Sequence, residues 1–285
     1  MFPISLHAPA KVNLFLHIIG RRADGYHTLD TGIVFTKFGD RIFIDSATTD
    51  EVALTGPFAN LLKNNTSRNI CLDCLEAFRL AGGVFEPIKI TIHKNIPVGA
   101  GLGGGSTNAA ALLRYLNQHS TKPLASKSLK KLALDLGADV PVCLAMTPSR
   151  VSGIGEKVSP LKLEKFFPIL LANPGKALAT ADVFQAFVRN DTIDHQRLKV
   201  PKQKWTSPTS LVEFNNDLEK AACLLDAKII DLISEMKTQE GALAVGLSGS
   251  GATCFALYED EQKCVESKLA LEKVGYWSIA TAIMR

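Results

Sequence analysis

The segment from Pro97 to Asn108 combines many glycines with a helix start and predicts a binding loop for a phosphate group. Five of the seven residues from Gly99 to Gly105 are glycine, which leaves the backbone amides accessible to a bulky anion. Residues 88–93 alternate between apolar and polar, as in a half-buried strand, and residues 109–116 show helical spacing. The candidate N-cap residues of this helix are Ser106, Thr107 and Asn108. Such a helix start directs N–H groups and the positive end of the helix dipole at one anion.

Two familiar phosphate-binding templates fit this loop poorly. The dinucleotide fingerprint G-x-G-x-x-G is met by Gly99, Gly101 and Gly104, but it requires an acidic residue about 20 positions further on. Residues 87–134 contain no Asp or Glu. The Walker pattern requires a lysine after its last glycine, whereas Ser106 follows Gly105 directly. The remaining alternative is a tight turn without a ligand, although such a turn rarely needs so many glycines.

The glycine loop resembles the phosphate loop of the GHMP superfamily of small-molecule kinases, which includes galactokinase, homoserine kinase and mevalonate kinase. Four other segments resemble the same superfamily, so the resemblance covers essentially the whole chain. Together the segments resemble one particular family within this superfamily. They are Ala8–Leu16, Arg22–Leu29, Gly137–Pro141 and Gly246–Thr253, the last being similar to the superfamily's second glycine-rich motif. The most specific of these matches are Lys11-Val12-Asn13 and Gly25-Tyr26-His27.

The resemblance implies an α+β, two-lobed GHMP-kinase fold with the active site in the cleft between the lobes. We expect an N-terminal lobe over residues 1–149, which carries the phosphate loop, and a C-terminal lobe over residues 150–285. The final strand, around residues 276–284, is a candidate to return to the first lobe. The absence of regular βαβ alternation also favours α+β.

Hydrophobic periodicity predicts the individual elements of this fold. Strands are predicted at residues 12–18, 29–35, 41–44, 167–172, 242–247 and 253–257. Helices are predicted at residues 69–80, 106–117, 126–136, 181–188, 217–237 and 261–273, and Gly137 is the expected C-cap of the third.

The activity implied by the resemblance is transfer of the γ-phosphate of ATP to the tertiary 2-hydroxyl of a methylerythritol unit. Phosphoryl transfer depends mainly on positioning and charge neutralisation, and a base takes the hydroxyl proton late. Asp139, in a loop before Pro141, is the candidate base. Lys11 on the first strand is its expected partner, because a nearby cation keeps a carboxylate ionised and offsets charge on the moving phosphoryl group.

The resemblance also implies a substrate site that reads a cytosine base. Tyr26 can stack on the base and His27 can bond its polar edge. Phe184, the matching aromatic position in the other lobe, would help to enclose the base, or it could equally belong to the core with Phe187. Asn13 can donate and accept hydrogen bonds, which suits the erythritol hydroxyls.

The ATP site implied by the resemblance centres on the glycine loop. Its expected residues are Pro97, Gly99, Gly101, Leu102, Gly103, Gly104, Gly105, Ser106 and Thr107, with Asn69 and Lys94 near the adenosine. Ser106 is the expected hydroxyl ligand to phosphate or Mg²⁺. Magnesium follows from the phosphate chemistry, but the sequence does not identify its ligands.

Composition agrees with a soluble enzyme and excludes little else. The 285 residues are 46% hydrophobic and 21% charged, with a net charge of +4 and scattered basic residues, so we expect neither a nucleic-acid nor a membrane partner. Six cysteines include a single C-x-x-C (Cys71 and Cys74), and we interpret all six as buried thiols. No leader pattern opens the chain, so we expect a cytoplasmic bacterial protein. We expect a monomer or a weak homodimer.

Two alternative functions stay open on the sequence. One is another GHMP-type kinase, acting for example on mevalonate or homoserine, against which the Gly25-Tyr26-His27 segment argues. The other is a nucleotide-binding regulator without catalysis. A regulator would predict a damaged base or loop, whereas Asp139, Lys11 and the complete glycine loop are all present.

Overall fold

The computed structural model describes residues 4–23, 25–62, 69–190 and 215–285, and these ranges contain ten strands and eight α-helices. The strands are β1 (Ile4–Arg21), β2 (His27–Ser46), β3 (Glu51–Thr55), β4 (Ile88–His93), β5 (Ser149–Gly153), β6 (Lys157–Pro160), β7 (Pro168–Asn173), β8 (Ala242–Leu247), β9 (Cys254–Tyr258) and β10 (Trp277–Ala282). The helices are α1 (Ile70–Leu80), α2 (Gly104–His119), α3 (Ser126–Leu136), α4 (Val140–Ala145), α5 (Thr180–Asn190), α6 (Glu219–Leu225), α7 (Lys228–Thr238) and α8 (Glu261–Lys273). The largely antiparallel sheets and separate helices confirm the predicted α+β class. None of the helices in the described ranges has the length and apolar character needed to cross a bilayer.

The described residues divide into two compact units, and the chain passes between them several times. The first unit takes its residues from Met1–Ala10, Gly39–Val98 and Gly103–Met146. The second takes its residues from Lys11–Phe38, Gly99–Leu102 and Thr147–Arg285. Strands β1 and β2 and the glycine loop therefore each contribute to both units. The expected boundary after residue 149 is a single cut in the sequence, and it stays a prediction.

In the first unit, β4 is the central strand. It pairs in parallel with β3 and antiparallel with residues 41–46 of β2. Its isoleucines, Ile88, Ile90 and Ile92, are buried, whereas Lys89 between them is exposed, which confirms the predicted alternation. Helix α2 packs against α1, α3 and α4, and its buried alanines allow close approach of these helices.

In the second unit, a four-stranded antiparallel sheet follows the order β10-β7-β9-β8. The C-terminal strand β10 thus pairs along its length with β7. Residues 29–33 of β2 pair with β5, which pairs in turn with β6. The core of this unit includes Leu170, Leu232 and Tyr258, all fully buried. Its apolar helix faces and strands meet in one contiguous cluster.

The structure corrects three of the predicted elements. The helix expected over residues 217–237 is two helices, α6 and α7, because Asp226 adopts an extended conformation and its carboxylate accepts a hydrogen bond from Lys228 N at 3.2 Å. The strands expected at residues 29–35 and 41–44 are parts of one long strand, β2. Helix α4 follows Asp139 directly, where a loop was expected. Gly137 caps α3 as predicted.

The six cysteines are free thiols, and five of them are buried, as predicted. Cys223 is only partly buried. Burial raises the pKa of Cys71 to about 12 and raises the pKa of Cys74 well above its ordinary value. Because the thiolate is the reactive form, these side chains are chemically inert and act as small apolar groups.

Candidate active site

The glycine loop is a left-handed turn that leads directly into α2. Gly99, Gly101 and Gly103 have φ angles of 61°, 74° and 64°. Gly103 is the N-cap of α2, and the helix begins at Gly104, two residues before the start predicted from the sequence. The prediction of Ser106, Thr107 and Asn108 as N-cap residues is therefore wrong. These three residues lie inside the helix, where the left-handed glycine at position 103 already reverses the chain.

The first backbone N–H groups of α2 have no acceptor within the helix and point out of its N-terminal end. The first intrahelical bond runs from Thr107 N to Gly103 O at 2.9 Å, so the N–H groups of residues 104–106 point toward the N-terminal end. The Thr107 hydroxyl donates to Gly104 O at 3.1 Å and stabilises this first turn. Ser106, which is half-buried, makes no hydrogen bond to any described residue through its hydroxyl. The helix start therefore offers amides and one hydroxyl to an anion.

Gly101 is the glycine that the structure requires most strictly. A Cβ at this position would overlap the carbonyl oxygen of Ser248 and lie 3.0 Å from Gly251 N. These three residues belong to the second unit. The positive φ of Gly101 is a second reason against any larger residue. Leu102, fully buried, anchors the loop, and its carbonyl accepts a hydrogen bond from Lys11 N at 3.0 Å. Pro97 precedes this turn and is half-buried.

Lys94 and Asn69, the expected adenosine neighbours, have structural partners. Lys94 forms a buried ion pair with Asp40, which is fully buried. The other oxygen of Asp40 accepts hydrogen bonds from Asn95 N at 2.8 Å and Ile96 N at 2.9 Å. A Cβ at Gly104 would lie 3.2 Å from Lys94 Nζ, which places the ammonium beside the first turn of α2. Asn69 caps α1 by accepting a hydrogen bond from Cys71 N at 2.9 Å.

Lys11 and Asn13 form a buried polar pair on β1. The Lys11 ammonium donates to Asn13 Oδ1 at 2.7 Å, and Asn13 Nδ2 donates to Thr31 Oγ1 on β2 at 2.8 Å. Both side chains are at most 5% exposed. The backbone N–H of Asn13 donates to Ser248 Oγ at 3.2 Å, and this hydroxyl donates to Gly101 O at 3.0 Å. One network in the second unit thus joins Lys11 and Asn13 to the glycine loop.

The second glycine-rich segment, residues 246–253, is a buried support. Asn216, itself buried, donates through its amide to Leu247 O at 2.8 Å and Gly249 O at 2.7 Å. Thr253 N donates to Ala100 O at 3.2 Å, and Ser250 Oγ lies 3.0 Å from Thr180 Oγ1. The segment therefore supports the backbone of the glycine loop through the hydrogen bond to Ala100.

The side chains of His27 and Phe184, two of the predicted substrate-binding residues, are in contact. Their rings are stacked with centroids 4.9 Å apart and planes inclined by 26°, and Phe187 meets the imidazole edge-on at 6.4 Å. Burial is the main cause of the lowered pKa of His27, and the nearby Arg21 lowers it further, so the imidazole is neutral at pH 7. Its Nε2 is buried and has no hydrogen-bond partner among the described residues. Tyr26 is 61% exposed.

Phe184 contacts the core, as one of its two interpretations predicts, and its role in enclosing a base stays a prediction. It is partly buried and packs against the hydrophobic cluster of the second unit, of which Phe187 is a member. One face of Phe184 therefore belongs to the core while the ring stacks on His27.

Asp139 is the N-cap residue of α4 in the first unit. It is half-buried, and its side chain makes no capping hydrogen bond to α4. The short helix continues with Val140 and Pro141, which fixes the backbone after Asp139. Lys11 belongs to the second unit, so its expected pairing with Asp139 stays a prediction.

Sequence reasoning missed four residues that build this site. They are Thr31, Asp40, Asn216 and, as a hydrogen-bonding side chain, Ser248. In these hydrogen bonds each of the four has a partner at least 18 positions away in the chain, so no local pattern marks it. Among the described residues, no group of three or more His, Cys, Asp and Glu side chains is arranged to hold a metal ion.

Two family models match the chain and define its class. The model for the GHMP kinases N terminal domain matches residues 69–146, and the model for the GHMP kinases C terminal matches residues 202–275. Among solved structures, a mevalonate kinase from Methanococcus jannaschii has a TM-score of 0.68 over 99% of this chain and 98% of its own, at 16% identity. The fold and the glycine loop are thus those of GHMP kinases.

Curated relatives and a further solved structure narrow this class. The chain is 40% identical to the 4-diphosphocytidyl-2-C-methyl-D-erythritol kinase of Agrobacterium fabrum over 96% of its length and 94% of the relative. It is also 40% identical to the enzyme of that name from Paracoccus denitrificans, over 97% of this chain and 95% of the relative. A crystal structure of 4-(cytidine 5'-diphospho)-2C-methyl-D-erythritol kinase matches with a TM-score of 0.80 and 28% identity, over 99% of this chain and all of the other. The chain belongs to the family of the 4-diphosphocytidyl-2-C-methyl-D-erythritol kinases.

Proposed function

We propose that this chain transfers the γ-phosphate of ATP to the 2-hydroxyl of 4-diphosphocytidyl-2-C-methyl-D-erythritol, giving the 2-phosphate and ADP. The observation that carries the proposal is the buried network in which Lys11 and Asn13 are bonded through Ser248 to Gly101 of the glycine loop. The identity of 40% to kinases of that name supports the choice of substrate. The reaction belongs to the methylerythritol phosphate route to isopentenyl diphosphate.

In this proposal the glycine loop and the start of α2 hold the phosphates of ATP. The amides of residues 104–106 suit phosphate oxygens, since they point to the end of the helix where its dipole is positive. The hydroxyl of Ser106, in the same first turn, is a further donor for a phosphate oxygen. The turn at Gly101 has no room for a side chain, so the backbone stays accessible. Mg²⁺ would arrive with ATP and offset the charge of its phosphates, with Ser106 as the proposed protein ligand. Asn69 and Lys94 would lie near the adenosine.

Lys11 and Asp139 have distinct proposed roles in the transfer. The Lys11 ammonium, held by Asn13, stabilises negative charge that develops on the transferred phosphoryl group. Asp139 takes the proton of the attacking hydroxyl late in the reaction. Its carboxylate makes no capping bond to α4, which is consistent with a role outside its own helix.

Tyr26, His27 and Phe184 are the proposed readers of the cytosine. The stacked His27 and Phe184 rings support this assignment, and the buried Nε2 of a neutral imidazole is suited to one polar group on the edge of the base. Tyr26, being exposed, can provide a stacking surface. The Asn13 amide would bond the erythritol hydroxyls.

Two other functions are disfavoured by particular observations. Phosphorylation of mevalonate or homoserine would leave the aromatic pair at His27 and Phe184 without a base to contact. A nucleotide-binding regulator would not need a buried lysine held beside the glycine loop. We expect the enzyme to act on small molecules alone, in the cytoplasm, as a monomer or a weak homodimer.

The test is ATP consumption and product formation with 4-diphosphocytidyl-2-C-methyl-D-erythritol for the wild type and Asp139→Asn. We expect wild-type turnover and a kcat lowered by about 10² to 10⁴ in the variant, since general-base catalysis contributes about that much. Asp135→Asn, on the exposed side of α3 in the same unit, is the matched control and should keep wild-type kinetics.

The outcomes separate the reaction from the base. Wild-type turnover that collapses in Asp139→Asn, with ATP binding retained, supports both assignments. Undiminished turnover in the variant would support the assigned substrate and refute the assignment of Asp139 as the base. A wild type that binds ATP and does not phosphorylate this substrate would refute the proposed reaction, and mevalonate and homoserine would be assayed next.

A further inference from the structure

Thr31 is a buried threonine on β2 that no part of the proposed reaction uses. It is 3% exposed, and its backbone is paired with Val151 of β5. Its hydroxyl makes two hydrogen bonds: it accepts one from Asn13 Nδ2 at 2.8 Å and donates one to the backbone carbonyl of Phe15. Thr31 therefore joins the amide of Asn13 to the main chain of β1.

The Phe15 carbonyl determines the direction of these hydrogen bonds. A carbonyl oxygen can only accept, so the single hydroxyl proton of Thr31 points to Phe15 O. The hydroxyl then offers only a lone pair to Asn13, and the Asn13 amide must present its NH₂ group to it. The amide oxygen consequently faces Lys11, whose ammonium donates to it at 2.7 Å.

The opposite orientation of the amide is excluded while Thr31 is in place. Reversing Asn13 would bring its amide oxygen against the Thr31 hydroxyl, whose proton is already given to Phe15 O, so two acceptors would meet. It would also bring the NH₂ group against the Lys11 ammonium, so two donors would meet. Lys11 and Asn13 are buried, so a mismatched donor there carries the full cost of desolvation.

We propose that Thr31 is a positioning residue, which sets the direction of the Asn13 amide and thereby the position of the Lys11 ammonium. The inference rests on the proposed function, because the groups it positions are those assigned to the erythritol hydroxyls and the transferred phosphoryl group. The remaining N–H of Asn13 and the remaining lone pair of its oxygen then keep fixed directions for the substrate. Thr31 acts through these two side chains and has no contact with the reacting atoms.

The experiment compares Thr31→Val, which keeps the shape but removes the hydroxyl, with Thr31→Ser, which restores the hydroxyl. Thr36→Val is the matched control, because Thr36 is also fully buried on β2 and its hydroxyl donates to Phe38 O at 2.8 Å on the same strand. Steady-state kinetics are measured for both substrates, and urea unfolding is measured for all variants.

We expect Thr31→Val to lower kcat/KM for the methylerythritol substrate about 10- to 100-fold while KM for ATP changes less than about threefold. Thr31→Ser should return within about threefold of wild type, and Thr36→Val should lose stability without loss of kcat/KM. Equal kinetics for Thr31→Val and Thr36→Val would reduce Thr31 to a structural residue and overturn the inference. A Thr31→Ser variant as impaired as Thr31→Val would also overturn it.

A second readout needs no turnover and so separates this inference from the proposed function. The side-chain amide protons of Asn13, followed by NMR without substrate, should exchange slowly in the wild type and in Thr31→Ser and quickly in Thr31→Val. An inactive wild type with this exchange pattern would refute the reaction and retain the positioning role. Equally slow exchange in Thr31→Val would refute the positioning role whatever the activity.

Discussion

The two glycine-rich segments of this chain, residues 97–107 and 246–253, have similar compositions and different surroundings. In the first, Gly99 and Gly105 are exposed and Ser106 is half-buried. In the second, every residue from Leu247 to Thr253 is buried. The first segment presents helix amides, and the second supports it through Ser248 and Thr253, whose bonds to Gly101 and Ala100 lie within one unit.

The difference shows that glycine content alone does not define a phosphate site. A glycine can be required because a ligand approaches the backbone or because another part of the protein does. Gly101 is of the second kind, since its missing Cβ makes room for the carbonyl of Ser248. At Gly105, by contrast, a Cβ would meet only Ile70 Cγ2 at 3.8 Å, so no packing contact in the described structure requires a glycine there. Variants of the two segments can separate these functions.

The largest expected effect is that of Gly101→Ala. The new methyl group would overlap Ser248 O, and the residue would keep a positive φ, so we expect a loss of roughly 3 kcal/mol in the free energy of unfolding. Urea denaturation measures this loss. A variant as stable as the wild type would show that the two segments can separate without cost.

The control for Gly101→Ala is Gly105→Ala. Alanine is favoured over glycine within a helix by about 0.5–1 kcal/mol, so this variant should be slightly more stable than the wild type. Its methyl group would lie among the outward amides, and we expect KM for ATP to rise about tenfold, equivalent to about 1.4 kcal/mol. Weaker ATP binding without loss of stability would assign the exposed glycine to the ligand. An unchanged KM for ATP would contradict that assignment.

An intermediate effect is expected for Ser248→Ala. The substitution leaves Asn13 N and Gly101 O without their hydroxyl partner, which should cost about 1–3 kcal/mol in the free energy of unfolding. Ser250→Ala, which removes only the contact with Thr180, is the matched control and should cost about 1 kcal/mol or less. Calorimetric unfolding of both variants measures the difference. Equal losses would mean that Ser248 does not specifically support the glycine loop.

The smallest expected effect concerns the titration of His27. Burial and Arg21 lower the pKa of His27 below its ordinary value of 6.5, so the unfolded chain binds a proton first as the pH falls. The stability that His27 contributes is thus present above pH 6.5 and is lost as the pH falls through its lower folded-state pKa. NMR titration of the imidazole in the wild type should give a pKa below 6.5.

Phe184→Ala tests the cause of this shift, because it exposes the His27 ring to water and should move the pKa back toward 6.5. Val188→Ala, on the exposed side of α5, should leave the titration unchanged. A wild-type pKa at or above 6.5 would contradict the stacked, desolvated environment of His27.

Local patterns were sufficient for most of the elements. The alternation at Ile88, Ile90 and Ile92 and the helical spacing in α2 depend on which side chains face the core, and this periodicity is visible in the chain itself. The break between α6 and α7 was not visible, because residues 217–237 keep an apolar helical pattern through the break. Asp226 interrupts the helix through one local hydrogen bond, which periodicity does not report.

The sequence by itself determined the α+β class, the glycine loop, the kinase family and the candidate groups at Lys11, Asn13, His27 and Asp139. These depend on residue type and spacing along the chain, which are local properties. Only the tertiary structure decided that Gly101 makes room for Ser248 and that Thr31 directs the amide of Asn13. Such partners are far apart in the chain, by 147 residues for Ser248 and Gly101, and a hydrogen bond is defined by proximity and direction in space rather than by sequence.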